Sequence, residues 1–306
     1  MARAGIVGGG SIGAGFAIVF ARAGHRVTLQ DPDPARRAAL LPEIKRRLDE
    51  MAGFGLLDEP VSDVAARVTL TESLADAMQG ADLVQECAPE TPALKTELFA
   101  ELDRGTAPDT ILASASSAIP ASRIAAGLPG RSRCLVAHPA NPPYLIPVIE
   151  IVPADFTDSA IADRAADFFR DCGMSPVPLR REVEGFVFNR LQGALLREAY
   201  CLVRDGVADV EDIDRLVRDG LGLRWSVTGP FETADLNVRG GIAAHAERMG
   251  PAYARMGAER GQHDSWSTEL VNTVAAQRRA LLPLEEWDER VRWRDRMLMA
   301  LVSRRR

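Results

Sequence analysis

The feature that most constrains this chain is Gly8-Gly9-Gly10-Ser11-Ile12-Gly13, set directly after the short apolar run Arg3-Val7 and directly before a helical pattern. A strand that ends in G-x-G-x-x-G and opens into a helix is the phosphate-binding start of a βαβ unit. In such a turn Gly8 permits the tight bend, Gly10 lets the backbone approach a pyrophosphate, and Gly13 lets helix and strand pack closely. Free N–H groups at the helix start, around Ser11, Ile12 and Gly13, then face the phosphates. A second strand ends at Gln30-Asp31, and Asp31 lies 18 residues beyond Gly13. An acid there accepts hydrogen bonds from the adenosine ribose and repels a 2'-phosphate, so the expected cofactor is NAD rather than NADP.

The same motif answers a competing interpretation. Ala4 to Ala21 is an 18-residue stretch broken only by Ser11, long enough to suggest a membrane span. Its six glycines suit a strand, a turn and a helix start instead, and no cationic segment with a cleavage site precedes it, so neither a membrane span nor an export signal is expected. The four cysteines are widely spaced with no C-x-x-C pair, which fits neither a disulfide framework nor a metal site and predicts a reduced, cytoplasmic protein. With 37 basic against 43 acidic residues, the chain has no general affinity for nucleic acid to offer.

Short β-branched runs alternate with helical patterns as far as about residue 183, the mark of a mostly parallel sheet. Strands are expected at Arg3-Val7, Val27-Gln30, Val68-Leu70, Leu83-Cys87, Ile111-Ala113, Cys134-His138, Val148-Val152 and Pro176-Leu179. From Gly185 on, strand-like runs vanish and amphipathic patterns take over: Gly185-Arg204, Asp209-Asp219, Gly241-Met256, Trp266-Ala280 and Leu284-Arg304. The expected fold is α/β, a Rossmann-type domain over 1–183 followed by an all-helical domain over 184–306. The long helical faces carry more apolar surface than one helical layer covers, which predicts a homodimer.

Ligands of an open parallel sheet gather beyond the carboxyl ends of its strands. Three polar segments stand there: Ala88-Pro89-Glu90 with Lys95 beyond it, Ser114-Ala115-Ser116-Ser117, and His138-Pro139-Ala140-Asn141-Pro142-Pro143. Glu150 interrupts the apolar run Val148-Val152, and a carboxylate on such a face needs a partner. His138 is one candidate and an arginine another; spacing leaves both open. Asn189, in Glu184-Gly185-Phe186-Val187-Phe188-Asn189-Arg190-Leu191, either lines a cleft or bonds locally.

Taken in order, these motifs, with Gln85-Glu86-Cys87-Ala88-Pro89-Glu90, Asp219-Gly220-Leu221-Gly222-Leu223-Arg224-Trp225 and Gly229-Pro230-Phe231-Glu232-Thr233, resemble the 3-hydroxyacyl-CoA dehydrogenase superfamily over essentially the whole chain. They look most like its lambda-crystallin or L-gulonate 3-dehydrogenase branch. The resemblance implies an NAD-dependent oxidoreductase acting on a 3-hydroxyl, with His138 as catalytic acid/base, Glu150 as its carboxylate partner, and Ser117 and Asn189 on the reacting oxygen. It places Glu90, Lys95, Ser117 and Asn141 on the cofactor side. Where the family has an asparagine in the serine motif, this chain has Ala115. A CoA ester demands a groove with cations for the nucleotide tail, for which Arg36, Arg37, Lys45, Arg46 and Arg47 are candidates, whereas a free acid demands a cation at its carboxylate, for which Arg224 is the candidate. The expected substrate is a small, gulonate-like hydroxy acid, with 3-hydroxyacyl-CoA, carnitine, or a non-catalytic crystallin-like role as alternatives.

Overall fold

The computed structural model describes residues 1–239, 241–260 and 283–303, with the isolated positions 269, 272, 276 and 280. The expected helix Trp266-Ala280 therefore lies, apart from those positions, outside the described residues. In chain order the elements are β1 (Arg3–Val7), α1 (Ser11–Arg22), β2 (Arg26–Gln30), α2 (Pro34–Gly53), α3 (Val61–Ala65), β3 (Val68–Thr71), α4 (Leu74–Met78), β4 (Leu83–Glu86), α5 (Pro92–Gly105), β5 (Ile111–Ser114), α6 (Ala121–Ile124), β6 (Cys134–Pro139), β7 (Val148–Pro153), α7 (Ser159–Asp171) and β8 (Ser175–Pro178). Then follow α8 (Phe188–Arg204), α9 (Val210–Arg215), α10 (Gly222–Trp225), α11 (Pro230–Leu236), α12 (Gly241–Arg260) and α13 (Trp287–Ser303).

The eight strands form one sheet in the order β3-β2-β1-β4-β5-β6-β7-β8, parallel from β3 to β6, with β7 antiparallel to β6 and β8 parallel to β7. The order reverses between β2-β1 and β4, the switch point at which an open sheet leaves a crevice beyond its strand ends. Both faces are covered, so successive residues of one strand feed opposite cores: Ile6 joins Phe16, Phe20 and Leu40 on one side, and Val7 joins Phe99, Leu102 and Leu112 on the other. This two-sided burial explains why the strands read as unbroken apolar runs rather than alternating ones.

The chain forms two compact units, Met1–Asn189 with Val291–Arg306, and Arg190–Arg290. Compared with the boundary expected at 183/184, residues 184–189 and the C-terminal segment group with the sheet. Met299 of α13 is buried in the core that α1 and α2 share, and Tyr144 donates to Asp295 Oδ2 at 3.3 Å. Among the described residues no helix is long and apolar enough to cross a membrane; the apolar stretch Ala4 to Ala21 is β1, the glycine turn and most of α1.

Candidate active site

At the end of β1 the chain turns through Gly8, whose φ of 97° favours glycine, and a Cβ there would stand 2.8 Å from the Cys87 carbonyl oxygen. A Cβ on Gly13 would overlap the Gly8 carbonyl oxygen, so helix and turn touch only because Gly13 has no side chain. Gly10 differs: a Cβ there would meet nothing within 4 Å, so its backbone faces open space, and no side chain caps α1 behind it. The first-turn N–H groups have no partner within the helix by geometry. Asp31 holds the turn from β2, its Oδ2 accepting from Gly9 N at 2.7 Å and its Oδ1 from Asp33 N at 2.9 Å. Each carboxylate oxygen keeps a second acceptor position for a ribose hydroxyl. A glycine cradle open at Gly10, an uncapped helix start and an acid beside them fit a dinucleotide. Gly9 is constrained as well, which the G-x-G-x-x-G spacing does not signal: a Cβ there would lie 3.0 Å from Asp31 Oδ2 and closer still to Leu40.

The end of β6 carries His138, and β7 runs back beside it in a register that sets Glu150 directly opposite. His138 Nδ1 and Glu150 Oε2 are 2.8 Å apart, and both side chains are buried. The open question of Glu150's partner is thus answered by the antiparallel turn between the two strands. The other Glu150 oxygen, Oε1, accepts from the backbone N–H groups of Val187 at 2.8 Å and Phe188 at 2.9 Å, the start of α8. Those N–H groups point inward because Gly185 and Phe186 both have positive φ, 75° and 49°. Such a conformation is costly for phenylalanine, and the buried Phe186 ring, 5.5 Å from His138, helps hold it. Burial raises the Glu150 pKa, but the hydrogen bonds from His138, Phe188 and Val187 outweigh it and hold the carboxyl below its ordinary value. An ionised Glu150 accepts only, so it fixes the proton on Nδ1 and leaves Nε2 of a neutral His138 free to accept one.

Ser117 is exposed just past β5, and Asn189 Nδ2 donates to its carbonyl oxygen at 2.9 Å, so these two expected site residues are joined. Glu90 Oε1 accepts from the N–H groups of Ser117 and Ala118, each at 3.1 Å, and from Ser116 Oγ. Partial burial raises its pKa, and those hydrogen bonds with the nearby Lys95 charge bring it below the ordinary carboxylate value. Asn141 is exposed on the turn after β6. Lys95, expected on the cofactor side, is instead 1% exposed, with all three donors spent on Glu86 and the Ala88 carbonyl, so its place is beneath the 88–90 turn. Arg224 belongs to α10 of the second unit, is exposed, and has no ion-pair partner among the described residues.

A crevice-side histidine–carboxylate pair and a dinucleotide turn on one sheet match what sequence comparison finds. Residues 3–183 match the description "3-hydroxyacyl-CoA dehydrogenase, NAD binding domain", and residues 185–280 match "3-hydroxyacyl-CoA dehydrogenase, C-terminal domain". The chain belongs to the 3-hydroxyacyl-CoA dehydrogenase family. It is 38% identical to a lambda-crystallin homolog of Bos taurus over 97% of this chain and 94% of that one. It is 36% identical to a 3-hydroxyacyl-CoA dehydrogenase of Gibberella moniliformis over 97% and 93%. Among solved structures, the NAD-dependent 5-formyl-3-hydroxy-2-methylpyridine 4-carboxylic acid 5-dehydrogenase superposes with a TM-score of 0.82 at 30% identity, over 98% of this chain and 97% of that one. As a member of the 3-hydroxyacyl-CoA dehydrogenase family, the protein is an oxidoreductase whose cofactor is NAD.

Proposed function

We propose that the protein oxidises the 3-hydroxyl of a small free hydroxy acid, gulonate-like in character, to the 3-keto acid, with NAD preferred over NADP. The observation that carries the chemistry is the His138–Glu150 pair. Bound NAD supplies the hydride acceptor. His138 Nε2 takes the hydroxyl proton, and the Glu150 carboxylate stabilises the imidazolium that results. Ser117 and Asn189 orient the oxygen, Ser117 through a hydroxyl with no protein partner among the described residues. Asp31, whose carboxylate faces the glycine turn, disfavours a 2'-phosphate by charge.

Two observations support a free acid. Of the five α2 cations that could bind a CoA tail, Arg36 and Arg47 pair with Glu43, Arg46 pairs with Glu50, and Arg37 pairs with Glu72, which leaves Lys45 as the one without an ion-pair partner among the described residues. The full-length structural relative is named for a substrate that is itself a carboxylic acid. Arg224 is the cation we assign to the substrate carboxylate. The reading also includes a cytoplasmic homodimer formed through the helical unit, which exposes Leu216, Leu223 and Phe231. A CoA ester is the second reading, favoured by the full-length likeness to the Gibberella enzyme. NADH formation with L-gulonate, 3-hydroxybutyrate, carnitine and 3-hydroxybutyryl-CoA separates the two. Turnover of a free acid is expected, and turnover of the thioester alone would overturn the proposal.

A further inference from the structure

Glu86 is the last residue of β4, and its side chain and that of Lys95 are, at 0% and 1% exposure, the most deeply buried ion pair among the described residues. Lys95 Nζ donates to both Glu86 oxygens, at 2.8 and 2.9 Å, and to the Ala88 carbonyl at 3.1 Å. The same carboxylate accepts from Ala88 N at 2.6 Å and from Ser114 Oγ at 2.6 Å. All three ammonium donors and four carboxylate acceptor positions are thereby used, so neither group is left for a ligand. A buried pair is tolerated when its remaining positions are satisfied in this way, but it is weak as a source of stability, which calls for another reason for its presence.

Its location supplies one. Glu86 lies beneath the two loops that leave β4 and β5. Ser114 Oγ also accepts from Ser116 N at 3.2 Å, and Ser116 Oγ accepts from Ile119 N at 2.7 Å and donates to Glu90. Glu90 in turn accepts the N–H of Ser117. One chain of hydrogen bonds therefore runs from Glu86 through Ser114, Ser116 and Glu90 to the Ser117 N–H, and the bond from Ala88 N ties the turn that carries Glu90 to the same Glu86 carboxylate.

We propose that Glu86, Lys95 and Ser114 are positioning residues that fix the place of the Ser117 hydroxyl. None of them touches the reacting atoms; they act through Ser117 alone, and the inference rests on the reading of Ser117 as a ligand of the reacting oxygen. Removing Glu86 or Lys95 would strand a buried charge and endanger folding, so the informative change is Ser114→Ala, which deletes one hydroxyl and leaves the ion pair in place.

The test compares Ser114→Ala, Ser117→Ala and the double variant for kcat, for KM of the best alcohol substrate, for NADH affinity by fluorescence titration and for Tm. Ser114→Ala is expected to lower kcat about 10-fold, as sub-ångström misplacement of a reacting group does. NADH affinity should stay within about two-fold, and in the Ser117→Ala background the same change should have no further effect on kcat, since residues acting through one group are not additive. An equal loss of kcat in both backgrounds, with or without a lower Tm, would show a structural role and overturn the proposal. Native kcat in Ser117→Ala alone would instead remove the premise, and the positioning role with it.

Discussion

Replacing Glu150 by glutamine tests the pairing with little change in shape. The amide has one acceptor atom and must choose between His138 Nδ1 and the N–H groups of Val187 and Phe188. Turning its NH2 toward the backbone would leave two donors unsatisfied at about 1–3 kcal/mol each, more than a histidine tautomer exchange costs. The carbonyl therefore stays on Val187 and Phe188, and the NH2 faces Nδ1. His138 must then carry its proton on Nε2, the nitrogen that should accept the hydroxyl proton. General base catalysis contributes roughly 100- to 10,000-fold, so kcat should fall by that factor, about 3 to 5 kcal/mol in the barrier. The loss of a charged acceptor for two N–H groups should cost only about 1 kcal/mol of stability. Steady-state NADH formation, thermal melting and NADH titration together make the assay. A folded variant that binds NADH and keeps near-native kcat would refute the tautomer argument.

Three further outcomes follow from the geometry. Gly13→Ala should weaken NADH binding at least about 10-fold and lower stability by roughly 1–3 kcal/mol, because the added methyl must displace the Gly8 carbonyl; titration and melting check it. Glu90 and Glu150 are both held below the ordinary carboxylate value of 4.5, so the unfolded chain binds their protons more readily; the stability they contribute is complete above that pH and is lost as pH falls through their folded values. Tm should accordingly drop below pH 4.5, less steeply in Glu150→Gln than in the native protein. Arg224→Met should raise KM for a free hydroxy acid about 10-fold or more, on the order of 1.4 kcal/mol, with little change for a CoA thioester; unchanged KM for every free acid turned over would remove Arg224 from the site.

The elements that were legible in the sequence are those whose signal is local. The glycine turn, Asp31 and the buried strands announce themselves because backbone conformation and two-sided burial restrict residue type directly. The His138–Glu150 bond depends on an antiparallel register across the 140–147 turn, which no spacing encodes, so the sequence alone allows an arginine as readily as His138 for Glu150's partner. The family resemblance puts Lys95 on the cofactor side, and nothing in β4 marks Glu86 as its partner instead: all four residues of that strand are buried, so alternation is silent. Phe186 is the clearest omission. Its positive φ delays the start of α8 from Gly185 to Phe188 and aims two N–H groups at Glu150, yet only the preceding glycine hints at a turn.

The most direct test of the proposed chemistry is kcat for His138→Gln measured beside its NADH affinity. Glutamine cannot accept and release the hydroxyl proton, while His138 lies near the end of β6, which β4 and β5 separate in the sheet from β1 and its glycine turn. The proposal predicts a kcat roughly 100- to 10,000-fold below native with NADH affinity within about two-fold. Retained turnover in a variant that binds NADH normally would contradict it.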